Sequence, residues 1–512
     1  MVNNTKINII SIAILIAISF IGIYLRLLPY VHYKYDFLIG FDTGKYINEL
    51  QNGISTNPKS IDLWVEPGLN TLLSGVRSIA GGSPKIYYEY IIPIFVSTLF
   101  IFIIYKYSLN ITKSKISSFL SAVYISTSII FLQATFGAFY RQIFASVIFL
   151  IYLYFVTKIL KDNRGKVFSS LVYCTGILGA GIIFYHRAIT FLFALSLVTI
   201  LVSTKLFTNN YKIVLKKIIA ILLISIFLSA PYWMLIVPQN LQIIMDTIIS
   251  SIHKSAVGAS VVNNLNREEN QIILYFQTIP LIVIAIIGLI KCLISKSKSS
   301  PLILVTLVLI PYIFIRGVFS NRYILDIDII FSIFIGRCFS HIEKYISKYI
   351  LLLISTCFIL INIFAAVNIS LTEKPYILYR TASIEWVENN INKKDAIIVA
   401  PDALSTIFTS LGYKTAIYEF PLKTGHSDDR ILKTENLLLY GQNSSSVWKN
   451  LFPNFKKTYV IFGQYDIIHP LGRLGKPIDI NSWDVSQNVD VLYKGDYFIT
   501  RIYQININAI RK

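Results

Sequence analysis

The sequence predicts a polytopic α-helical membrane protein of about eleven transmembrane helices, with a C-terminal extracytoplasmic α/β domain. Three observations predict it. Of 512 residues, 54% are hydrophobic and 14% charged, with a mean hydropathy of +0.62, too apolar for a water-soluble chain of this length. Apolar runs of about 20 residues, enough to cross a ~30 Å hydrocarbon core as helix, recur through residues 1–370. After Ile369 the composition turns polar and mixed.

The expected spans are Ile7–Leu28, Tyr90–Tyr105, Ile116–Phe136, Ile143–Leu160, Phe168–Tyr185, Ala188–Ser203, Ile213–Val237, Ile272–Leu293, Leu302–Ile315, Tyr323–Phe339 and Tyr349–Ile369. The first is of full span length, lacks a small-residue cleavage site and is followed by further spans, so it reads as a retained helix rather than a cleaved signal. A long first outer loop, 29–89, follows it. There, Thr43–Leu50 can form a short helix entered at Asp42, and Pro67–Ile79 a second, with Leu69, Leu72, Leu73, Val76 and Ile79 on one stripe. Such helices can lie flat on a membrane and shape a cleft. Between the later spans, Pro238–Gln271 reads as a loop long enough to form a mobile cover.

Residues 371–512 are expected to form the separate domain. TASIEWVENNI reads as a helix, Ala396–Ala400 and Thr458–Gly463 as strands, and DVLYKGDYFITRIY as a hairpin turning at Lys494–Gly495–Asp496.

The net charge of +20 could suggest nucleic acid, but its placement excludes that class. Basic residues gather in every second loop: Lys106, Lys113 and Lys115; Lys158, Lys161, Arg164 and Lys166; Lys205, Lys212, Lys216 and Lys217; Lys291, Lys296 and Lys298; Arg337, Lys344 and Lys348. By the positive-inside rule these loops face the cytoplasm. With Lys6 also inside and an odd span count, the N-terminus is cytoplasmic and the C-terminal domain lies outside, in a multi-pass protein of the plasma membrane. Cys174, Cys292, Cys338 and Cys357 lie in or beside apolar segments without metal-ligand spacing and read as small core residues.

This topology collects Asp36, Asp42, Asp62, Glu66, Arg141, His186, Arg187, Arg316 and Arg322 on one side, several in very short turns. Charged groups near a membrane are costly and usually face a cavity or a partner. Asp42 is the first candidate for a catalytic general base, where a low-dielectric setting would raise its basicity. A plain helix cap is its alternative. Asp36 reads as a second catalytic carboxylate or a solvated acid, and Glu66 as a third cleft residue or a loop acid before a helix. Arg141, His186, Arg187, Arg316 and Arg322 suit a lipid-linked phosphate, because arginine presents a planar fork to phosphate oxygens. Arg322 could instead pair with Asp326 four residues on, Arg316 could snorkel to the interface, and Arg141 could make an ordinary helix-end contact. No nucleotide-phosphate loop, HExxH motif or GxSxG elbow occurs.

GFDTGKY at Gly40–Tyr46, EPGLNTLL at Glu66–Leu73 and SAPYW at Ser229–Trp233 together resemble the GT-C superfamily of integral membrane glycosyltransferases, which use polyprenyl-phosphate-linked sugars. The first is similar to the family's outer-loop acidic motif. The second is similar to the loop and helix of protein mannosyltransferase-like members. The stretch Ser383–Tyr418 resembles the start of the outer domain in the catalytic subunit of oligosaccharyltransferases. Where that family places WWDxG, this chain has Ala400-Pro401-Asp402-Ala403-Leu404, and Ser482-Trp483-Asp484 stands too far along to replace it. The family's second acidic motif corresponds here to Gly137–Gln142, which has no carboxylate, so a divalent cation, Mg2+ or Mn2+, is disfavoured as a cofactor.

The resemblance implies a GT-C-like enzyme outside the strict oligosaccharyltransferase group. Such an enzyme would take a polyprenyl-phosphate sugar donor from the lipid bilayer and pass the sugar, with inversion, to a glycan, lipid or protein acceptor on the outer face. A polysaccharide polymerase or ligase would share the phosphate chemistry with arginines dominating. A transporter or flippase would need polar residues near mid-membrane, whereas here they cluster at the outer ends.

Overall fold

A computed structural model describes residues 9–33, 46–47, 50–51, 67–136, 139–161, 167–207, 211–253, 268–294, 301–314, 323–372, 383–416, 427–441, 451–452, 455–462, 478–494 and 501–505. The chain divides into two compact units. One comprises Met1–His32, Glu66–Leu72 and Tyr90–Leu371, and the other Tyr33–Val65, Leu73–Glu89 and Thr372–Lys512.

The first unit is helical. In chain order its helices are α1 (Ile9–Tyr33), the start of α2 (Pro67–Ala80), α3 (Ile92–Thr112), α4 (Lys115–Thr127), α5 (Ile129–Phe136), α6 (Tyr140–Lys161), α7 (Ser170–Tyr185), α8 (Arg187–Phe207), α9 (Tyr211–His253), α10 (Glu268–Ile294), α11 (Pro301–Phe314), α12 (Tyr323–Ile342) and α13 (Lys348–Thr372). Among the described residues, six stretches are long and apolar enough to cross a membrane: Ile9–His32, Ile92–Thr112, Lys115–Phe136, Tyr140–Leu160, Tyr211–Pro231 and Tyr349–Leu371. Four shorter apolar helices accompany them, Ser170–Tyr185, Ala188–Val202, Ile279–Ile294 and Pro301–Ile313. The protein is therefore a multi-pass membrane protein.

Local chemistry sets the helix ends. Lys113 takes a left-handed φ of 60° after α3 and returns its N–H to the Leu109 carbonyl at 3.0 Å, while Ser114 opens α4 by accepting the Ser117 N–H at 3.3 Å. Ser169 caps α7 in the same way, through the Val172 N–H at 3.4 Å. Small residues let backbones approach where no hydrophobic drive exists between helices in lipid. Ser108 of α3 meets Ser121 of α4 at 3.0 Å, Ser340 of α12 donates to the Thr112 carbonyl at 3.2 Å, and Gly336 lies against the Ser108 and Ser121 hydroxyls.

Several expectations are corrected here. The expected span 116–136 is present, but it is built of two helices, because Ser128 is extended (φ −60°, ψ 125°) and interrupts it. Helix α9 runs for 43 residues, so residues 238–253 continue a helix where a loop was expected, and the described part of the following segment, 268–271, already belongs to α10. The expected stripe on α2 is split. Leu69, Asn70 and Leu73 are buried, whereas Leu72, Val76 and Ile79 are exposed, because the buried face is centred on the Leu69–Leu73 pair. Of the cysteines, Cys292 and Cys338 are buried but Cys174 and Cys357 are exposed; all four are free thiols.

The second unit holds a five-stranded mixed sheet of order β2-β1-β3-β5-β4, from β1 (Ala396–Val399), β2 (Lys414–Thr415), β3 (Lys457–Phe462), β4 (Val489–Lys494) and β5 (Arg501–Ile505). The first three strands are parallel, and β5 runs antiparallel to both β3 and β4. Alternation sends Ile397, Val399, Val460, Phe462 and Tyr503 to one core with Leu438 and Trp483, and Ile398, Tyr459, Ile461 and Ile502 to another with Ile384, Val387 and Phe408. Trp483 is fully buried and its indole N–H donates to the Leu438 carbonyl at 3.0 Å, so it packs the core and presents no surface for recognition. In this unit Tyr46, four residues beyond Asp42, stacks on Tyr88 with ring centres 5.6 Å apart.

Candidate functional site at one end of the helical unit

Asp36, Asp42, Glu66, Arg316 and Arg322 lie outside the described residues. Arg141 and His186 are described and buried, and Arg187 is placed by its backbone as the first residue of α8. The pairing of Arg322 with Asp326 lies outside the described residues for the same reason.

The described neighbours of Glu66, Arg141, His186, Arg187, Arg316 and Arg322 meet at one end of the helical unit. His186 joins α7 to α8 in extended conformation (φ −162°, ψ 124°), its N–H held by the Ile182 carbonyl at 3.2 Å and its own carbonyl accepting from the Thr190 hydroxyl at 3.0 Å. Tyr185, just before it, stacks with Phe144, three residues after Arg141, at an interplanar angle of 5°. Gly68, two residues after Glu66, packs on the same place. A Cβ there would lie 2.8 Å from Tyr185 Cγ and 3.0 Å from the Phe184 carbonyl oxygen, so no larger residue fits without a shift. Tyr323, next to Arg322, donates its hydroxyl to the carbonyl of Ala188, next to Arg187, at 2.9 Å. Tyr312, four residues before Arg316, completes an aromatic cluster with Phe191 and Tyr323, the ring centres 5.6 and 6.0 Å away.

Beneath this end lies a polar layer of which sequence reasoning named only Asp326, and that as a partner for Arg322. Asp326 of α12 accepts the Ser146 hydroxyl at 2.6 Å and the Gln142 amide at 3.2 Å, both from α6 and next to Arg141. Asp328 accepts the Ser128 hydroxyl at 2.6 Å and the Tyr124 hydroxyl, at the break between α4 and α5. At the same break Arg26 of α1, also buried, donates Nη1 to the carbonyls of Gly22 at 2.8 Å and Ser126 at 3.2 Å, with its guanidinium 4.7 Å from the Phe131 ring centre. The signal was present as charges inside apolar runs, which in membranes mark functional interiors. Arg26 sat inside the first expected span, and Asp328 inside the tenth.

Chemically, this end offers buried cationic and imidazole side chains beside hydroxyl and aromatic groups, in a setting where electrostatic interactions are strong. The basic groups Arg26, Arg141 and His186 suit an anion, whereas Asp326 and Asp328 serve as acceptors for neighbouring hydroxyl and amide groups. Among the described residues no group of three or more His, Cys, Asp or Glu side chains could hold a metal ion.

No protein-family model matches the sequence, and comparison with curated proteins yields no match. Solved structures do. ArnT from Cupriavidus metallidurans, bound to undecaprenyl phosphate, is similar with a TM-score of 0.56 at 10% identity, covering 98% of each chain. The Archaeoglobus fulgidus oligosaccharyltransferase, in complex with zinc and sulfate, gives a TM-score of 0.49 at 14% identity over 87% of this chain and 67% of that one. The mycobacterial arabinofuranosyltransferase AftD gives 0.48 at 12% identity, over 96% of this chain and 40% of that one. ArnT belongs to the GT-C superfamily of membrane glycosyltransferases, and the chain shares its fold.

Proposed function

We propose that the protein is a membrane glycosyltransferase that moves a sugar from a polyprenyl-phosphate donor to an acceptor outside the cytoplasm. The observation that carries this reading is the shared fold with ArnT over nearly the whole of both chains, ArnT being a protein solved with undecaprenyl phosphate. The buried Arg141 and His186 at one end of the helical unit support it, because a phosphate leaving group needs buried cationic partners.

In this reading the spans number about eleven, the polar end faces outward, and residues 371–512 form an extracytoplasmic domain. Asp42 takes the proton from an acceptor hydroxyl, and the freed oxygen attacks the anomeric carbon from the face opposite the phosphate. The bond from anomeric carbon to phosphate oxygen breaks with inversion, and the electron pair leaves on the polyprenyl phosphate. One or more of Arg141, His186, Arg187, Arg316 and Arg322 stabilises that charge, with Asp36 and Glu66 lining the cleft.

The test is transfer from radiolabelled polyprenyl-phosphate sugars in membranes, with wild type and Asp42→Asn compared. Loss of a general base costs 10²- to 10⁴-fold. Full activity in a correctly inserted Asp42→Asn would remove the assigned base, and no transfer by wild type from any polyprenyl-phosphate sugar would overturn the function.

A further inference from the structure

Arg26 has one edge in use and one edge without a protein partner. Nη1 serves the Gly22 and Ser126 carbonyls, the second of which lies in the last turn of α4, so this nitrogen caps a helix end. Nε and Nη2 are buried and make no hydrogen bond with any described residue. These two N–H groups leave the same side of the planar guanidinium in parallel, and such an edge pairs two-pronged with the oxygens of a phosphate or carboxylate. The helix cap accounts for Nη1 and leaves this fork unexplained.

The setting is built around the guanidinium. Phe131 lies under its plane. Gly22 packs beside Nη1, where a Cβ would stand in ordinary contact, 3.4 Å from that nitrogen and 3.5 Å from Ile101 Cδ1. A guanidinium does not shed its proton in proteins, and the carbonyls and the Phe131 ring serve only part of it, so the unused Nε/Nη2 edge calls for a further acceptor, for which an anion is the strongest. Asp328, at the same α4–α5 break, directs its two oxygens to Ser128 and Tyr124. Helix α1 stands at the rim of its unit, with Phe20, Tyr24 and Val31 exposed on the face turned away from Arg26.

We propose that the Nε/Nη2 edge of Arg26 binds the phosphate of a lipid carrier, an assignment that rests on the polyprenyl-phosphate reading above. It makes Arg26 a phosphate-binding residue at the same depth as the α4–α5 break.

The experiment measures binding to the purified full chain of four probes: polyprenyl monophosphate, uncharged polyprenol, phosphatidylglycerol and inorganic phosphate. Arg26→Gln is expected to weaken the monophosphate at least tenfold and leave polyprenol unchanged. Arg26→Lys should fall between, because an ammonium keeps the charge without the fork. Equal losses for monophosphate and polyprenol would reduce Arg26 to a helix cap and overturn the proposal. Equal Arg26-dependent binding of inorganic phosphate or of phosphatidylglycerol would overturn the carrier as the source.

Should both variants fail to fold, the Nε–H resonance of Arg26 in wild type must move on adding monophosphate and not polyprenol; an unmoved resonance sinks the assignment. A wild type that binds no polyprenyl monophosphate would defeat the functional reading itself. Affinity lost in Arg141→Gln yet kept in Arg26→Gln would defeat only the role of Arg26.

Discussion

Asp326 and Asp328 stand two residues apart on α12, so their side chains leave the helix about 200° apart. That spacing explains why one reaches α6 and the other the α4–α5 break. Each carboxylate holds two side-chain donors, and a buried donor left without an acceptor costs about 1–3 kcal/mol. Asp326→Leu should therefore lower the thermal midpoint in detergent by several degrees, whereas Asp326→Asn, which keeps an accepting oxygen, should lower it much less. Equal losses in the two variants would contradict the hydrogen-bond account. In the sheet unit, burial opposes ionisation of Asp484, but hydrogen bonds from Lys494 at 2.9 Å and Tyr503 at 2.8 Å and the charge of Arg501 outweigh it and hold the carboxyl below its ordinary range. A carboxyl with a lowered folded pKa contributes stability above its unfolded value near ~4, and that stability fades as pH falls through the folded value. Hydrogen exchange of β4 and β5 in Asp484→Asn should be faster than in wild type at pH 7, and the gap should close toward pH 3.

At the scale of elements, the broken span α4–α5 is held by its own polar neighbours. Ser128 accepts the Phe131 N–H at 3.2 Å and donates to Asp328, so one hydroxyl caps α5 and ties the break to α12. Ser128→Ala should cost about 1–2 kcal/mol, the range of a lost helix cap, read as a lower unfolding midpoint. Close packing elsewhere is set by glycine. A Cβ at Gly288 of α10 would collide with the Phe334 carbonyl oxygen of α12, a backbone atom that cannot rotate away. Gly288→Val is expected to abolish the folded fraction in size-exclusion chromatography, and a monodisperse variant would contradict the packing. Helix α9, at about 1.5 Å per residue, is ~65 Å long, more than twice the hydrocarbon thickness, so it must extend beyond the bilayer.

At the scale of the molecule, the alternation of basic loops sets the expected orientation. A reporter that is active only outside the cytoplasm, fused after Lys512, should be active, and one fused within the loop at Lys161 should be silent. The reverse pattern would move the polar end, and with it the acceptor, to the cytoplasmic side.

The sequence by itself determined that the chain is a multi-pass membrane protein, because span-length apolar runs need no partner to be recognised. It also determined that Ala396–Val399 and Lys457–Phe462 are strands, because short β-branched runs between turn residues have a period of their own. Arg141 and His186 were legible as awkward charges in tight turns. Only the tertiary structure decided what those charges face. Arg26 and Asp328 lie some 300 positions apart and come to one helix break through packing of α1, α4, α5 and α12, which no local pattern encodes. The length of α9 was hidden for a related reason. Polar residues after its apolar part end the membrane signal without ending the helix, since hydropathy reports the solvent and backbone hydrogen bonding sets the helix.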